Sequence, residues 1–555
     1  MAQQSFLSPQ WTIRDLPSGM QILANISRDN LAQAEADCNA FLDSLQKKPL
    51  DESICFQLLE HLRLTYATVV QERAKHYLDK PLPLAEAEEL VFQAHVAIAA
   101  KMALSYLYCF AKSDVVHNRA HTALLARRSL HYFGSVVVMH QNTRRECPNG
   151  LWKEIHACYR RAAEADLDLE LVLEAFDAND RATSCTTAYM ELLLTEAAGC
   201  YNLSQRDQRL MRRWVTETSL WVSLHNLHEE DPWPAWAIDL EEDHVFCAEP
   251  ENRARRTLLV LDTTHLVNRL KKLLQQIDKK VAPAQLGLGK DCSAGQCKIL
   301  LNHLIRQWTP LPISRKFPRR ATSNVALLSF DFAAIHYFVS GKEFNLGSVE
   351  VSFQYGYDSM FMSRLQGNPN EELEVRKKNI PYTAEEWSVI NESAQGFQLT
   401  QTAPKQRLAY GQLVALQPPG GTQFLLAKVS WIRQDKRGGL HCGLSLFNGL
   451  PTGVSMRTNS LENDQKYQRA FLFPAIAARQ IDESLILPRG TYQHGKILDV
   501  LFDGTVRQVF LQRLLEEGAD FEHASVVEKS ASITTTQFGQ SSIYTSTFDE
   551  ASRIF

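Results

Sequence analysis

Over the first half of the chain, apolar side chains recur at three- and four-residue steps. In 54–78, Phe56, Leu59, Leu62 and Tyr66 fall on one stripe, the pattern of an amphipathic helix. The same spacing predicts helices over 86–111, 121–139, 151–165 and 187–200, and continues through 207–227 and 257–278. Pro81, Pro83, Pro148 and the 231–234 stretch Asp-Pro-Trp-Pro punctuate the run. No fixed period recurs, so a regular solenoid is not supported. The texture changes after Pro310. Short apolar runs at 411–417, 423–433 and 440–447 are separated by Pro-Pro-Gly-Gly at 418–421 and Lys-Arg-Gly-Gly at 436–439. Strands at this spacing, with turn residues between them, predict a small antiparallel barrel or sandwich. A further hairpin is expected where 496–502 and 506–511 flank Asp503-Gly504.

Composition narrows the function classes. The chain has 555 residues, 45% of them hydrophobic and 22% charged, as in ordinary folded protein. Its net charge of -4 provides no global basic field for long nucleic acid, so any bound anion needs a local cluster. No uninterrupted apolar run reaches the roughly 18 residues of a membrane span. The stretch at 96–111 is broken by Lys101. The start has no secretory pattern, and eleven scattered cysteines suit a reducing compartment. Cytoplasmic location is therefore expected. Cys292 and Cys297 are read as ordinary thiols, because no second pair completes a zinc site.

Enzyme signatures do not emerge. Gly287-Leu-Gly-Lys290 lacks the spacing and the Ser/Thr of a P-loop. His117 and His121 sit four apart without a zinc-protease glutamate, and read as a helix face. There is no Gly-x-Ser-x-Gly elbow, and no kinase or Rossmann fingerprint. The expectation is a protein without catalytic function, metal or cofactor.

Two short segments carry the candidate chemistry. Arg315, Lys316, Arg319 and Arg320 put four cations into six residues beside Pro318. A guanidinium offers a planar fork that grips phosphate, stacks on flat rings and can address the O6/N7 edge of guanine. Alone, the run reads more readily as a solvated basic turn. Asn391, Ser393 and Gly396 follow, supplying an amide, a hydroxyl and room for close approach. Alone they are common turn residues.

Together, Arg315-x-x-x-Arg319 and Asn391-x-Ser393-x-x-Gly396, followed by the strands at 428–433 and 440–444, resemble the PilZ family of bacterial cyclic di-GMP receptors. The resemblance covers about 315–455. It implies a six-stranded antiparallel barrel, with Arg315 and Arg319 clamping guanine and phosphate, Arg320 beside them, and Asn391, Ser393 and Gly396 forming the seat. The ligand it implies is cyclic di-GMP. The motif halves lie 72 positions apart, from Arg319 to Asn391. The intervening stretch, including 324–341, is therefore expected to be an inserted element or an additional degenerate barrel.

The expected fold class is multidomain α and β, an all-α N-terminal helical bundle followed by antiparallel PilZ-like barrels. The expected domains are a helical scaffold or interaction domain at 1–305 and a PilZ-like barrel with an insertion at 306–456. A second small, motif-free β-domain follows at 457–528, then a Ser/Thr-rich disordered tail at 529–555. A fragment from about 310 to 528 is expected to fold alone. The expected function is a receptor that senses cyclic di-GMP and relays it to a protein partner through the helical half. The alternative is a scaffold whose barrels keep the fold and bind no nucleotide.

Overall fold

A computed structural model describes residues 11–27, 29–173, 182–228, 230–249, 258–310, 318–344, 382–458, 466–502 and 504–529. The tail expected to be disordered lies, from residue 530 on, outside the described residues. Eight helices build the first part: α1 (Leu16–Ala24), α2 (Leu31–Lys47), α3 (Glu52–Arg73), α4 (Glu86–Lys112), α5 (Arg119–Asn142), α6 (Leu151–Glu164), α7 (Cys185–Ala197) and α8 (Gln205–Thr218). Their starts are set by side chains that accept otherwise unpaired first-turn N–H groups, as Asn118 does for His121 and Ser204 for Asp207. Their apolar stripes merge into one core containing Phe41, Leu59, Tyr106 and Trp214. Among the described residues, α4 is long and apolar enough to cross a bilayer, but half of its apolar window is buried inside this core. The two histidines set aside as a helix face have separate partners, His117 with Asp114 and His121 with Glu52.

The region expected to be all-α also carries strands, and the stretches 207–227 and 257–278 are helical only in part, over 205–218 and 264–278. A hairpin pairs β1 (Val172–Leu173) with β2 (Ala182–Thr183). After α8 the chain forms β3 (Ser223–Asn226), β4 (Ala237–Asp239) and β5 (Leu258–Asp262), a three-stranded sheet with β5 in the middle. Leu258, Leu259, Val260 and Leu261 form an unbroken apolar run, which suits a strand covered on both faces. Helices α9 (Thr264–Asp278) and α10 (Ala294–Trp308) then complete the α-rich part. Cys292 and Cys297, expected to be ordinary thiols, are joined as a disulfide. Ser293 caps α10, and that turn brings the first-turn Cys297 to a Cα distance of 6.2 Å from Cys292.

The first β-unit is a ring. It comprises β6 (Arg320–Ala321), β7 (Val325–Ser329), β8 (Glu385–Ser393), β9 (Gly396–Gln401), β10 (Leu413–Gln417), β11 (Leu425–Gln434) and β12 (Leu440–Leu446). The antiparallel order β8-β7-β10-β11-β12-β9 closes on itself through β8–β9, and β6 hangs on β8. The stretch 324–341 is thus neither an insertion nor a further barrel. Its first part, β7, pairs with β8 and β10 and is needed for closure, while its second part is helix α11 (Phe332–Ser340). What separates β7 from β8 in sequence is mainly 345–381, outside the described residues.

Trp387, Val389, Leu399, Val414, Ile432 and Cys442 fill the ring. Leu82, from the loop between α3 and α4, joins that core at 2% exposure. Its backbone exchanges two hydrogen bonds with Leu408, at 2.9 and 2.7 Å. Nearby, Gln434 donates to the Arg144 carbonyl, Glu146 donates back to Gln434, and the Arg144 guanidinium covers the Tyr410 ring at 4.2 Å. Barrel and helices are therefore joined through β11 and the α5–α6 loop.

The second β-unit is a closed barrel of β13 (Thr452–Thr458), β14 (Gln468–Phe473), β15 (Ser484–Pro488), β16 (Ile497–Phe502), β17 (Thr505–Glu517) and β18 (Phe521–Glu528). The break between β-units falls at 447–451, ahead of the expected 456/457. Thr452–Thr458 spends its hydrogen bonds on β14 and β16, leaving none for the first ring. Phe502 pairs with Thr505 across the expected hairpin, where Gly504 takes φ +78°. The barrels share an apolar seam. Leu413 and Ala415 of β10 point into it with Ile335, Phe471, Phe473 and Phe521, while Val414 and Leu416 point into the ring. Burial of both faces explains why β10 reads as continuous rather than alternating.

Two histidines lie in that seam. Burial lowers the pKa of both His336 and His523 to about 4. Both are neutral in the fold at neutral pH, whereas in the unfolded chain they protonate near pH 6.5. On acidification the unfolded state takes up protons first, so stability is full above about pH 6.5 and falls as pH drops toward 4. The melting temperature is expected to fall across that window, and the fall to be shallower in His336→Gln. A melting temperature that does not change between pH 7 and 4.5 would remove this account.

Candidate nucleotide site

The residues singled out by sequence converge where β6, β8 and β9 run side by side. In register, Arg320 pairs with Glu392 and Ala321 with Asn391. Arg319, just before β6, donates from Nη1 to Gln398 Oε1 at 3.3 Å. Asn391 Nδ2 donates to the same oxygen at 2.7 Å. The two motif halves, 72 positions apart in sequence, thus meet on one glutamine amide. Arg319 and Arg320 are exposed, and Asn391 and Ser393 are half-buried. Arg315 lies outside the described residues, and its position is not described.

The seat follows from the β8–β9 hairpin. Ser393 pairs with Gly396 across the turn, and its hydroxyl donates to the Gly396 carbonyl at 3.3 Å while accepting from the Gln395 N–H at 3.4 Å. These bonds hold the turn and leave the hydroxyl near the surface. A Cβ on Gly396 would overlap the Leu444 carbonyl oxygen, so only glycine lets β9 lie this close to β12.

Sequence reading passed over the rest of this row. Asn391 pairs with Gln398, Gln398 with Gly443, and Gly443 with Trp431. A Cβ on Gly443 would run into the Trp431 indole, so the ring lies across the glycine. A half-buried aromatic face therefore stands two strands from the asparagine–arginine pair. Gln398 was legible in principle, since it falls two residues after Gly396 and period-2 alternation puts both on one face. Trp431 lies within the expected strand 428–433, and nothing local to it signals that Gly443 makes room for its ring.

Chemically, the row offers exposed guanidinium forks, an amide, a hydroxyl and a flat aromatic face. Forks suit phosphate oxygens and the guanine O6/N7 edge, and an aromatic face stacks a base. Among the described residues, no cluster of His, Cys, Asp and Glu could hold a metal ion.

Three family models match successive parts of the chain. The family described as "Cyclic-di-GMP receptor FimW, N-terminal domain" matches residues 18–230. The "Cyclic-di-GMP receptor FimW, middle PilZ domain" matches 244–350, and the "FimW C-terminal beta-barrel domain" matches 453–527. The third match spans the second barrel. The second stops inside the long β7–β8 connection, although the ring itself continues to Leu446. A curated relative, the cyclic-di-GMP receptor FimW of Pseudomonas aeruginosa, is 24% identical over 537 residues, covering 88% of this chain and 87% of its own.

Proposed function

We propose that this chain, a member of the PilZ-domain family with the three-domain order of FimW, is a cyclic di-GMP receptor that works in the cytoplasm and catalyses no reaction. One observation supports the reading above others: Arg319 and Asn391 share Gln398 Oε1, so the halves of the motif are within reach of one ligand. In this reading Arg315 and Arg319 grip guanine and phosphate, Arg320 adds charge at the edge, and Asn391, Ser393 and Gly396 form the surface beneath. The ligand draws Arg319 away from Gln398 and onto itself. A ligand shifts such an equilibrium only through unequal affinity for the two arrangements. Trp431 supplies a stacking face. The helical half then carries the change to a protein partner through β11, which holds Trp431 and also the docking residues Arg433 and Gln434.

Calorimetric titration of the full chain with cyclic di-GMP tests the reading. Saturable binding is expected, with affinity reduced about tenfold in Asn391→Ala, the order of effect of losing one well-made contact to a charged ligand. A well-folded wild-type chain that gives no heat with cyclic di-GMP would leave the scaffold alternative standing.

A further inference from the structure

The helical domain carries an open apolar groove of about 430 Å³, far from the nucleotide row in sequence. Its floor is α5, and α3, α7 and α8 form its walls, with Tyr66, Val70, Leu130, Val138, Leu192 and Val215 giving it an apolar lining. Along α5 the lining runs from Arg127 to Asn142 at three- and four-residue steps, which at ~1.5 Å per residue is about 22 Å, or four helical turns. Small residues keep the middle low. Gly134 lies so close to Leu192 that a Cβ there would approach its Cδ2 to 2.6 Å, and Ser135 follows on the open side.

The groove is not neutral. Arg212 stands at the Asn142 end, where one guanidinium nitrogen binds the Asn142 side chain. Its Nη1 is buried and has no hydrogen-bond partner. Burial holds the Arg212 pKa below its ordinary value, the mark of a cation short of solvent and of an opposing charge. Arg127 lines the opposite end, and Glu191 of α7 also lines the groove. An apolar trough four turns long with the under-paired Arg212 at one end is complementary to an amphipathic helix whose apolar stripe carries carboxylates at that end.

The groove also adjoins an interface already described. Asn142 is two residues from Arg144, on whose carbonyl Gln434 of the PilZ-like ring docks. An occupant at the Arg212 end would touch the same turn that the barrel holds.

We infer that this groove is a docking site for an acidic amphipathic helix of a partner protein, with Arg212 pairing one of its carboxylates. This deepens the reading of the helical half as the output surface. Its test uses nucleotide-free protein, so failure here and failure to bind cyclic di-GMP are separate results.

The probe is a fluorescein-labelled synthetic helix of about 15 residues, with leucines at i, i+3, i+4 and i+7 and glutamates beside them. A control peptide carries lysine for each glutamate. In anisotropy titrations against the full chain, the glutamate peptide is expected to bind saturably and the lysine peptide at least about tenfold more weakly. Arg212→Ala should weaken the glutamate peptide about tenfold, and Ser135→Trp, which fills the trough, should weaken it further. Should Arg212→Ala misfold, the two peptides on the wild-type chain still decide. Absence of saturable binding, equal binding of both peptides, or full binding to Ser135→Trp would overturn the proposal. So would a self-association that Ser135→Trp abolishes, since the occupant would then be a second copy of this chain.

Discussion

Replacing Arg319 by alanine is expected to weaken cyclic di-GMP binding tenfold or more, with the melting temperature of the ligand-free chain unchanged. The direction follows from where the side chain sits. Arg319 is exposed, precedes β6 and lies outside the apolar cores, and it bonds the half-buried Gln398 at 3.3 Å, so no core packing is lost with it. A bidentate contact to phosphate or to guanine O6/N7 is worth about 1–3 kcal/mol. One such loss corresponds to roughly a tenfold to hundredfold change in dissociation constant. Arg315→Ala is expected to match it. Arg320→Ala should cost less, because Arg320 is already in register opposite Glu392 and falls outside the paired motif spacing. Calorimetry on the three variants separates these outcomes. Equal and negligible effects from all three would remove the clamp.

The largest expected effect on stability comes from a residue of the helical half. Leu82 sits in the core of the ring with Leu408, Trp387 and Val389, and removing a buried leucine side chain to alanine costs about 2–5 kcal/mol. Leu82→Ala should lower the melting transition of the ring, while leaving the second barrel's own core, around Leu485, Val500 and Val526, untouched. The same contact bears on the fragment 310–528, which is expected to fold alone as a β-rich unit and to keep the nucleotide site. Such a fragment lacks Leu82 and the two backbone bonds to Leu408, and it also loses the carbonyl of Pro81 that Arg407 binds at 2.8 Å. It is expected to melt lower than the full chain and to expose apolar surface around Leu408. A fragment as stable by denaturant titration as the ring in the full chain would show that Leu82 contributes nothing. The proposed nucleotide contacts lie within 310–528, so any loss of binding in the fragment should follow its loss of stability.

These two cases separate what each level of organisation contributes. Arg319 was legible because its chemistry is local: four cations in six residues, followed at a distance by a polar triplet whose spacing is that of one hairpin. Leu82 was not, because in sequence it is one apolar residue between Pro81 and Pro83, and its partner lies 326 positions away at Leu408. No periodicity reports a contact of that range.

Local pattern alone determined the change from helical to β texture near residue 310, because the 3.6- and 2-residue periods are imposed by burial of one face. It determined the Asp503-Gly504 hairpin and the presence of both motif halves. The tertiary structure decided three things. It made 324–341 part of the ring, because closure needs β7 between β8 and β10. It made 258–262 a strand rather than the start of a helix, because neighbours on both sides supply its hydrogen bonds. And it brought Arg319 to Asn391 on Gln398, since β8–β9 pairing fixes which side chains share a face, and strand pairing is set by the whole ring.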